Sequence, residues 1–227
     1  MTDKNVSIMN IGSMGYLPQV FKKIENEKKL NIVYLGGSIT MGCNATKTEL
    51  RYVDRSAKWW QTNFPDAEIS YFNAGIGATT SQFGVARVQE HVLDKQPDLV
   101  FVEFSVNDSS SPLFMETYES LVRRLLKAES VKAVVLINNL FYDTGTNAQG
   151  IHNAIGLHYD LPIVSVRNYI FPEIQLGNVC LADYTADMLH PTDLGHKMIA
   201  DLICNLLDTE YSCLLYTSPS PRDLSTS

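Results

Sequence analysis

Apolar residues along this chain gather into five short runs: 30–36 (LNIVYLG), 68–74 (EISYFNA), 98–105 (DLVFVEFS), 132–139 (KAVVLINN) and 161–166 (LPIVSV). They are rich in Val, Ile, Phe and Tyr, and the middle ones are nearly continuous rather than alternating. That pattern suits strands buried on both faces of a parallel sheet. Between them lie segments of helical spacing. Residues 54–64 open with Asp54 as a candidate N-cap and bring Ala57, Trp60 and Phe64 to one face. Residues 80–95 space Phe83, Ala86, Val88 and Val92 in the same way, and 115–130 do so with Met115, Tyr118, Leu121, Val122 and Leu125. Residues 147–160 read as helix despite Gly150 and Gly156, and 190–207 begin at a proline and a cap-like threonine before an apolar stripe through Met198, Ile199, Leu202 and Ile203. Strand alternating with helix implies right-handed βαβ crossovers, and so an α/β protein. The expected architecture is a three-layer α/β/α sandwich around a central, mostly parallel five-stranded sheet. No internal repeat or interior linker divides residues 1–212, which read as a single domain.

A chain of 227 residues is long enough for one sizeable core. Its net charge of −7, with acidic and basic residues mixed along the sequence, argues against a nucleic-acid or anionic-membrane partner. No stretch approaches the roughly 20 apolar residues needed to cross a bilayer. The opening residues lack a basic segment followed by an apolar one, so a cytoplasmic location is expected. Cys43, Cys180, Cys204 and Cys213 are scattered, with neither C-x-x-C nor metal-ligand spacing; free thiols are expected, with no metal and no cofactor. The end of the chain differs in kind. Residues 213–223, CLLYTSPSPRD, are similar to a conceptual translation of a transposase sequencing adaptor. On that reading 213–227 form a non-native, disordered tail, and the natural chain continues differently past Ser212.

In open parallel sheets, function gathers at the carboxyl ends of strands. Gly36-Gly37-Ser38 follows the first run, NAGIGATTS (73–81) belongs to the end of the second, and SVNDSS, with Asn107 and Asp108, follows the third. The fifth run leads into a long loop ending in DYTADMLHP, which carries Asp187 and His190 just before the last helix. Taken singly, each has an ordinary explanation. Ser38 could fill a turn, Asn107-Asp108 could be an Asx turn or a helix cap, and His190 could be a surface histidine. His91, His152, His158 and His196 lie in helical patterns at no ligand spacing, and Trp59 and Trp60 suit packing. Together the strand ends are harder to dismiss. A serine hydrolase needs a nucleophile, a base, a carboxylate that fixes the base's tautomer, and donors aimed at the developing oxyanion. A three-residue gap lets the Asp187 carboxylate accept from His190 Nδ1 and leaves Nε2 to face Ser38.

The blocks GGSIT, NAGIGATTS, SVND and DMLHP, in that order and spacing, resemble the SGNH (GDSL-type) hydrolase family across nearly all of residues 30–207. The resemblance implies a flavodoxin-like fold, no metal, and hydrolysis of esters or thioesters through an acyl-enzyme on Ser38, with Asp187 and His190 completing the triad. It also implies an oxyanion hole from Asn107 and a backbone amide. Ungapped alignment from Asn73 puts Ala78, beside Gly77, where members commonly have glycine; an alanine serves there if its φ is negative. Two further departures are Gly37 in place of the usual aspartate and Ser105 in place of a leading glycine. The wording of the blocks looks most like bacterial carbohydrate O-acetyl esterases, which implies short acyl groups on an oligosaccharide. A lysophospholipase or acyl thioesterase is the alternative within the fold. A nucleotide- or carbohydrate-binding protein is the alternative outside catalysis, although neither G-x-G-x-x-G nor G-x-x-x-x-G-K-[ST] is present.

Overall fold

The computed structural model describes residues 3–12 and 16–217. Among them the five apolar runs become strands, and a sixth strand joins them: β1 (Ile8–Asn10), β2 (Lys29–Gly36), β3 (Glu68–Gly75), β4 (Leu99–Glu103), β5 (Ala133–Asn138) and β6 (Ile163–Ser165). Their order is β1-β6-β5-β4-β2-β3, parallel throughout except for β1, which pairs antiparallel with β6. The helices are α1 (Leu17–Glu27), α2 (Ser38–Met41), α3 (Tyr52–Asn63), α4 (Ser81–His91), α5 (Pro112–Leu126), α6 (Gln149–His158), α7 (Val166–Gln175), α8 (Leu181–Tyr184) and α9 (Asp193–Thr217).

Successive strand side chains point to opposite faces, and along β2, β4, β5 and β6 both faces are buried, whereas the edge strand β3 is largely exposed. Ile32, Tyr34, Leu99, Phe101, Val135 and Ile137 join one core cluster with residues of α1, α3, α7 and α9. Val33, Leu35, Val100, Val102, Val134 and Leu136 join the other, under α4, α5 and α6. This is the expected three-layer sandwich. The chain passes from β2 to β3 on one side and to β4 on the other, so the sheet changes winding direction at β2. A crevice opens at such a switch, beyond the carboxyl ends of the strands.

Several expectations need correction. The sheet has six strands rather than five, because β1 is only three residues long and lacks an apolar run. Helix α1 was not anticipated, although Leu17, Val20, Phe21 and Ile24 recur at helical spacing and all are buried. The long loop after β6 contains helices α7 and α8; the pattern of α7 is obscured by Pro172, and Ser165 Oγ caps it by accepting from Asn168 N at 3.1 Å. Asp54 is not an N-cap, since α3 begins at Tyr52; its carboxylate instead takes two N–H groups of Arg51 at 2.7 and 3.1 Å. The inner face of α4 carries Ser81, Gly84, Arg87 and Val88, while Phe83 is exposed. Finally, residues 213–217 of the expected tail belong to the same helix as the residues before them. They continue α9, whose buried stripe of Ile203, Leu206, Leu207 and Glu210 extends to Leu214. The rest of the tail lies outside the described residues. Among the described residues no helix is long and apolar enough to cross a membrane.

Candidate active site

Strand β2 ends in a turn that only glycine fits. Gly36 lies opposite Glu103 of β4, and a Cβ there would collide with the Thr40 side chain and the Glu103 carbonyl. A Cβ on Gly37 would collide with the Asn107 side-chain oxygen. The turn releases Ser38 as the first residue of α2, nearly enclosed at 7% exposure.

His190 and Asp187 come from the connection between α8 and α9. A bridge between Thr185 and Pro191 closes this loop, and Thr185 Oγ1 donates to His190 O at 2.9 Å. Tyr142 N donates to Met188 O at 2.8 Å, which ties the loop to the segment after β5. Met188 takes a left-handed φ of +66°, so the chain turns sharply between the acid and the histidine. The outcome is a continuous line: Ser38 Oγ lies 2.9 Å from His190 Nε2, and His190 Nδ1 lies 2.7 Å from Asp187 Oδ2. The other carboxylate oxygen, Oδ1, accepts backbone N–H groups from His190 at 2.7 Å and Leu189 at 3.1 Å. Partial burial works against ionisation of Asp187. The hydrogen bonds from the His190 ring and from both backbone amides prevail and hold its carboxyl well below the usual range.

The sequence-predicted donors collect on the same turn. Asn107 packs its Oδ1 against Gly37, buried and without a partner, whereas Nδ2 is not enclosed in this way. A Cβ built on Gly77 would stand 4.0 Å from Ser38 Cβ, so the Gly77–Ala78 peptide passes beside the serine. Neither Gly77 N–H nor Ala78 N–H finds a protein acceptor among the described residues. Ala78 departs from expectation: its φ is +58°, not negative. The loop demands a left-handed residue, which explains glycine as the usual occupant, and the alanine Cβ carries strain of about 1–2 kcal/mol.

Three groups around the site were missed or misjudged from sequence. Arg87 reaches inward from α4 and donates to Ala74 O at 2.6 Å and to Gly36 O at 3.0 Å, joining the ends of β3 and β2 below the turn. Burial lowers its pKa to about 10. Glu103 is fully buried; Thr40 Oγ1 approaches its Oε2 at 3.5 Å and Ser105 Oγ its Oε1 at 3.4 Å. A charge inside the otherwise apolar run DLVFVEFS was the available signal. His152, expected to be an ordinary surface or partly buried residue, is fully buried 3.0 Å from Asp108 Oδ2, and nothing in the spacing of α6 announced it. His196, by contrast, is structural as expected: Nε2 donates to Cys43 O at 3.0 Å and Nδ1 accepts from Tyr52 N at 3.4 Å.

Residues 34–198 match the GDSL-like lipase/acylhydrolase family. An acetylxylan esterase of Geobacillus stearothermophilus is 25% identical over 207 residues, covering 78% of this chain and 93% of that protein. A two-domain esterase active on acetylated mannans, crystallised with mannopentaose, superposes with a TM-score of 0.91 at 44% identity. That superposition covers 93% of this chain but only 58% of the two-domain protein, so the chain spans little more than half the length of that relative. A catalytic mutant of the Geobacillus stearothermophilus acetylxylan esterase shares the fold, with a TM-score of 0.65 at 21% identity over 78% of this chain and 94% of that one.

Proposed function

The chain belongs to the GDSL-like lipase/acylhydrolase family, and on that premise we propose that it is a serine esterase that removes acetyl groups from carbohydrate. The observation that carries this reading is the hydrogen-bonded line Ser38–His190–Asp187, with links of 2.9 and 2.7 Å. The histidine is already oriented for proton transfer, since its Nδ1 is committed to a carboxylate and its Nε2 faces the hydroxyl.

In the proposed reaction His190 Nε2 takes the Ser38 proton as Oγ attacks the acetyl carbonyl. Asp187 holds the ring in place and stabilises the imidazolium. Negative charge on the carbonyl oxygen is met by the N–H of Ser38, the N–H of Gly77 or Ala78, and Asn107 Nδ2. Collapse breaks the bond to the sugar oxygen, which leaves with the proton from His190. Water enters, gives a proton to His190, and its oxygen attacks the acetyl-serine. The second collapse returns the proton to Ser38 Oγ and releases acetate.

The choice of an acetylated sugar is supported by the relatives that act on acetylated mannan and on acetylxylan, two alcohols that share the same small acyl group. The cytoplasmic location expected from sequence stays within this proposal and is tested by fractionating the producing cell. The function itself is tested by comparing p-nitrophenyl acetate, p-nitrophenyl octanoate and acetylated manno- and xylo-oligosaccharides, each with the parent and with Ser38→Ala. Acetate release that depends on Ser38 is expected. Preference for octanoate would replace the reading with a lysophospholipase or thioesterase, and oligosaccharide binding without hydrolysis would make the protein a binding module.

A further inference from the structure

The site holds a second Asp–His pair that takes no part in the proton transfers above. Asp108 and His152 have side chains with no exposure at all and lie 3.0 Å apart. Such a pair is weak evidence of a stabilising device, because well-packed apolar residues often serve a core as well or better. What it touches is more informative. Asp108 directly follows Asn107, and its Oδ1 accepts from Ser81 N at 2.9 Å. Ser81 opens α4, three residues after Ala78. Its Oδ2 accepts from His152 Nε2, on α6. One carboxylate therefore joins the segment that carries Asn107 to the segment that carries Gly77 and Ala78, and the histidine fastens both to a third element. The His152 ring stacks on Tyr118 of α5, with centroids 3.6 Å apart and planes tilted by 6°, which fixes its direction. Its Nδ1 has no partner, so the bond to Asp108 is the polar contact that this buried ring makes.

We propose that Asp108 and His152 are positioning residues that set the separation between the Asn107 amide and the backbone amides of the 76–80 loop, so that both converge on one oxygen. The proposal rests on the esterase reading. Oxyanion donors act when held about 2.7–3.1 Å from the position the oxygen takes in the transition state. A loosened pair should therefore slow turnover while leaving ground-state binding of the ester nearly unchanged.

Two substitutions separate positioning from packing. His152→Phe keeps a ring over Tyr118 but has no donor; His152→Gln gives up the ring and keeps an N–H at about the reach of Nε2. For p-nitrophenyl acetate, His152→Phe should lower kcat by about 10- to 100-fold with KM within twofold of the parent, and His152→Gln should recover most of that loss. His152→Asn, whose amide is too short to reach Asp108, should resemble Phe and serves if the Phe variant does not fold. Amide hydrogen exchange across 76–81 and 104–108, which needs no substrate, should quicken in the Phe and Asn variants and not in Gln. The opposite ranking, with Phe near the parent and Gln impaired, would assign the histidine to packing and overturn the proposal; so would unchanged exchange in both segments. A parent protein without Ser38-dependent turnover would sink the esterase reading instead, and the exchange data would still decide whether the pair holds the two segments.

Discussion

Replacing Glu103 by glutamine should change how stability depends on pH rather than shift it uniformly. Glu103 is fully buried at the end of β4, and the groups that meet its carboxyl are hydroxyls, Thr40 Oγ1 at 3.5 Å and Ser105 Oγ at 3.4 Å, instead of a cation. Burial, reinforced by the nearby Asp108 charge and only partly offset by hydrogen bonding from Ser105, raises its pKa from 4.5 to about 7. The folded chain therefore keeps a proton that the unfolded chain releases. Between pH 4.5 and 7 the unfolded state gains from ionisation while the folded state does not, so stability falls through that window and stays lower above it. At about 1.4 kcal/mol per pH unit, the difference between 4.5 and about 7 corresponds to a loss of about 3 kcal/mol by pH 8. Glutamine has the same shape and nothing to ionise. The expected result is an unfolding free energy close to the parent's at pH 4 and about 3 kcal/mol above it at pH 8, measured by urea unfolding followed by tryptophan fluorescence. In thermal melts at pH 8 this corresponds to a rise of roughly 6–12 °C. A difference between variant and parent that is the same at both pH values would refute the reasoning, because the carboxyl would then not be titrating across folding.

Other substitutions test separate parts of the account. Asn107→Ala should reduce kcat for p-nitrophenyl acetate by about 10²–10³ with little change in melting temperature; near-parental turnover would remove Asn107 from the oxyanion hole. Ala78→Gly should stabilise the protein by about 1 kcal/mol by relieving the left-handed alanine, a gain readable as a melt about 2–4 °C higher, and an unchanged or lower melt would contradict the strain. Arg87→Lys should lose one of the two carbonyl contacts below the turn and cost about 1–3 kcal/mol in urea unfolding; a neutral result would show that the guanidinium does not hold the β2 and β3 ends together.

Long, continuous apolar runs made β2, β4, β5 and β6 legible, because a strand buried on both faces has no polar side to blur it; the largely exposed edge strand β3 was legible from its Ile, Tyr and Phe. Ser38, Asn107, Asp187 and His190 were legible for a different reason: a serine hydrolase needs particular side chains on one rim, and the ends of β2 and β4 and the loop before α9 carry residues of those types. What escaped was short or carried by tertiary contact. Strand β1 has three residues and borrows its place from β6. The role of Arg87 depends on carbonyls of two other strands, and that of His152 on a carboxylate 44 positions away. Ala78 could be placed beside the serine, but its left-handed φ follows from the path of the loop rather than from its own identity. Asp54 shows the reverse error, a cap-like residue claimed by a neighbouring arginine once the helix began two positions earlier.

Covalent labelling shows whether Ser38 is the nucleophile. Folded protein is treated with a fluorophosphonate, weighed intact, and digested to locate the adduct. One adduct is expected on the peptide that contains Ser38, absent in Ser38→Ala and much slower to form in His190→Ala. A folded parent that takes no label, or a Ser38→Ala protein labelled at the parental rate, would contradict that role for Ser38.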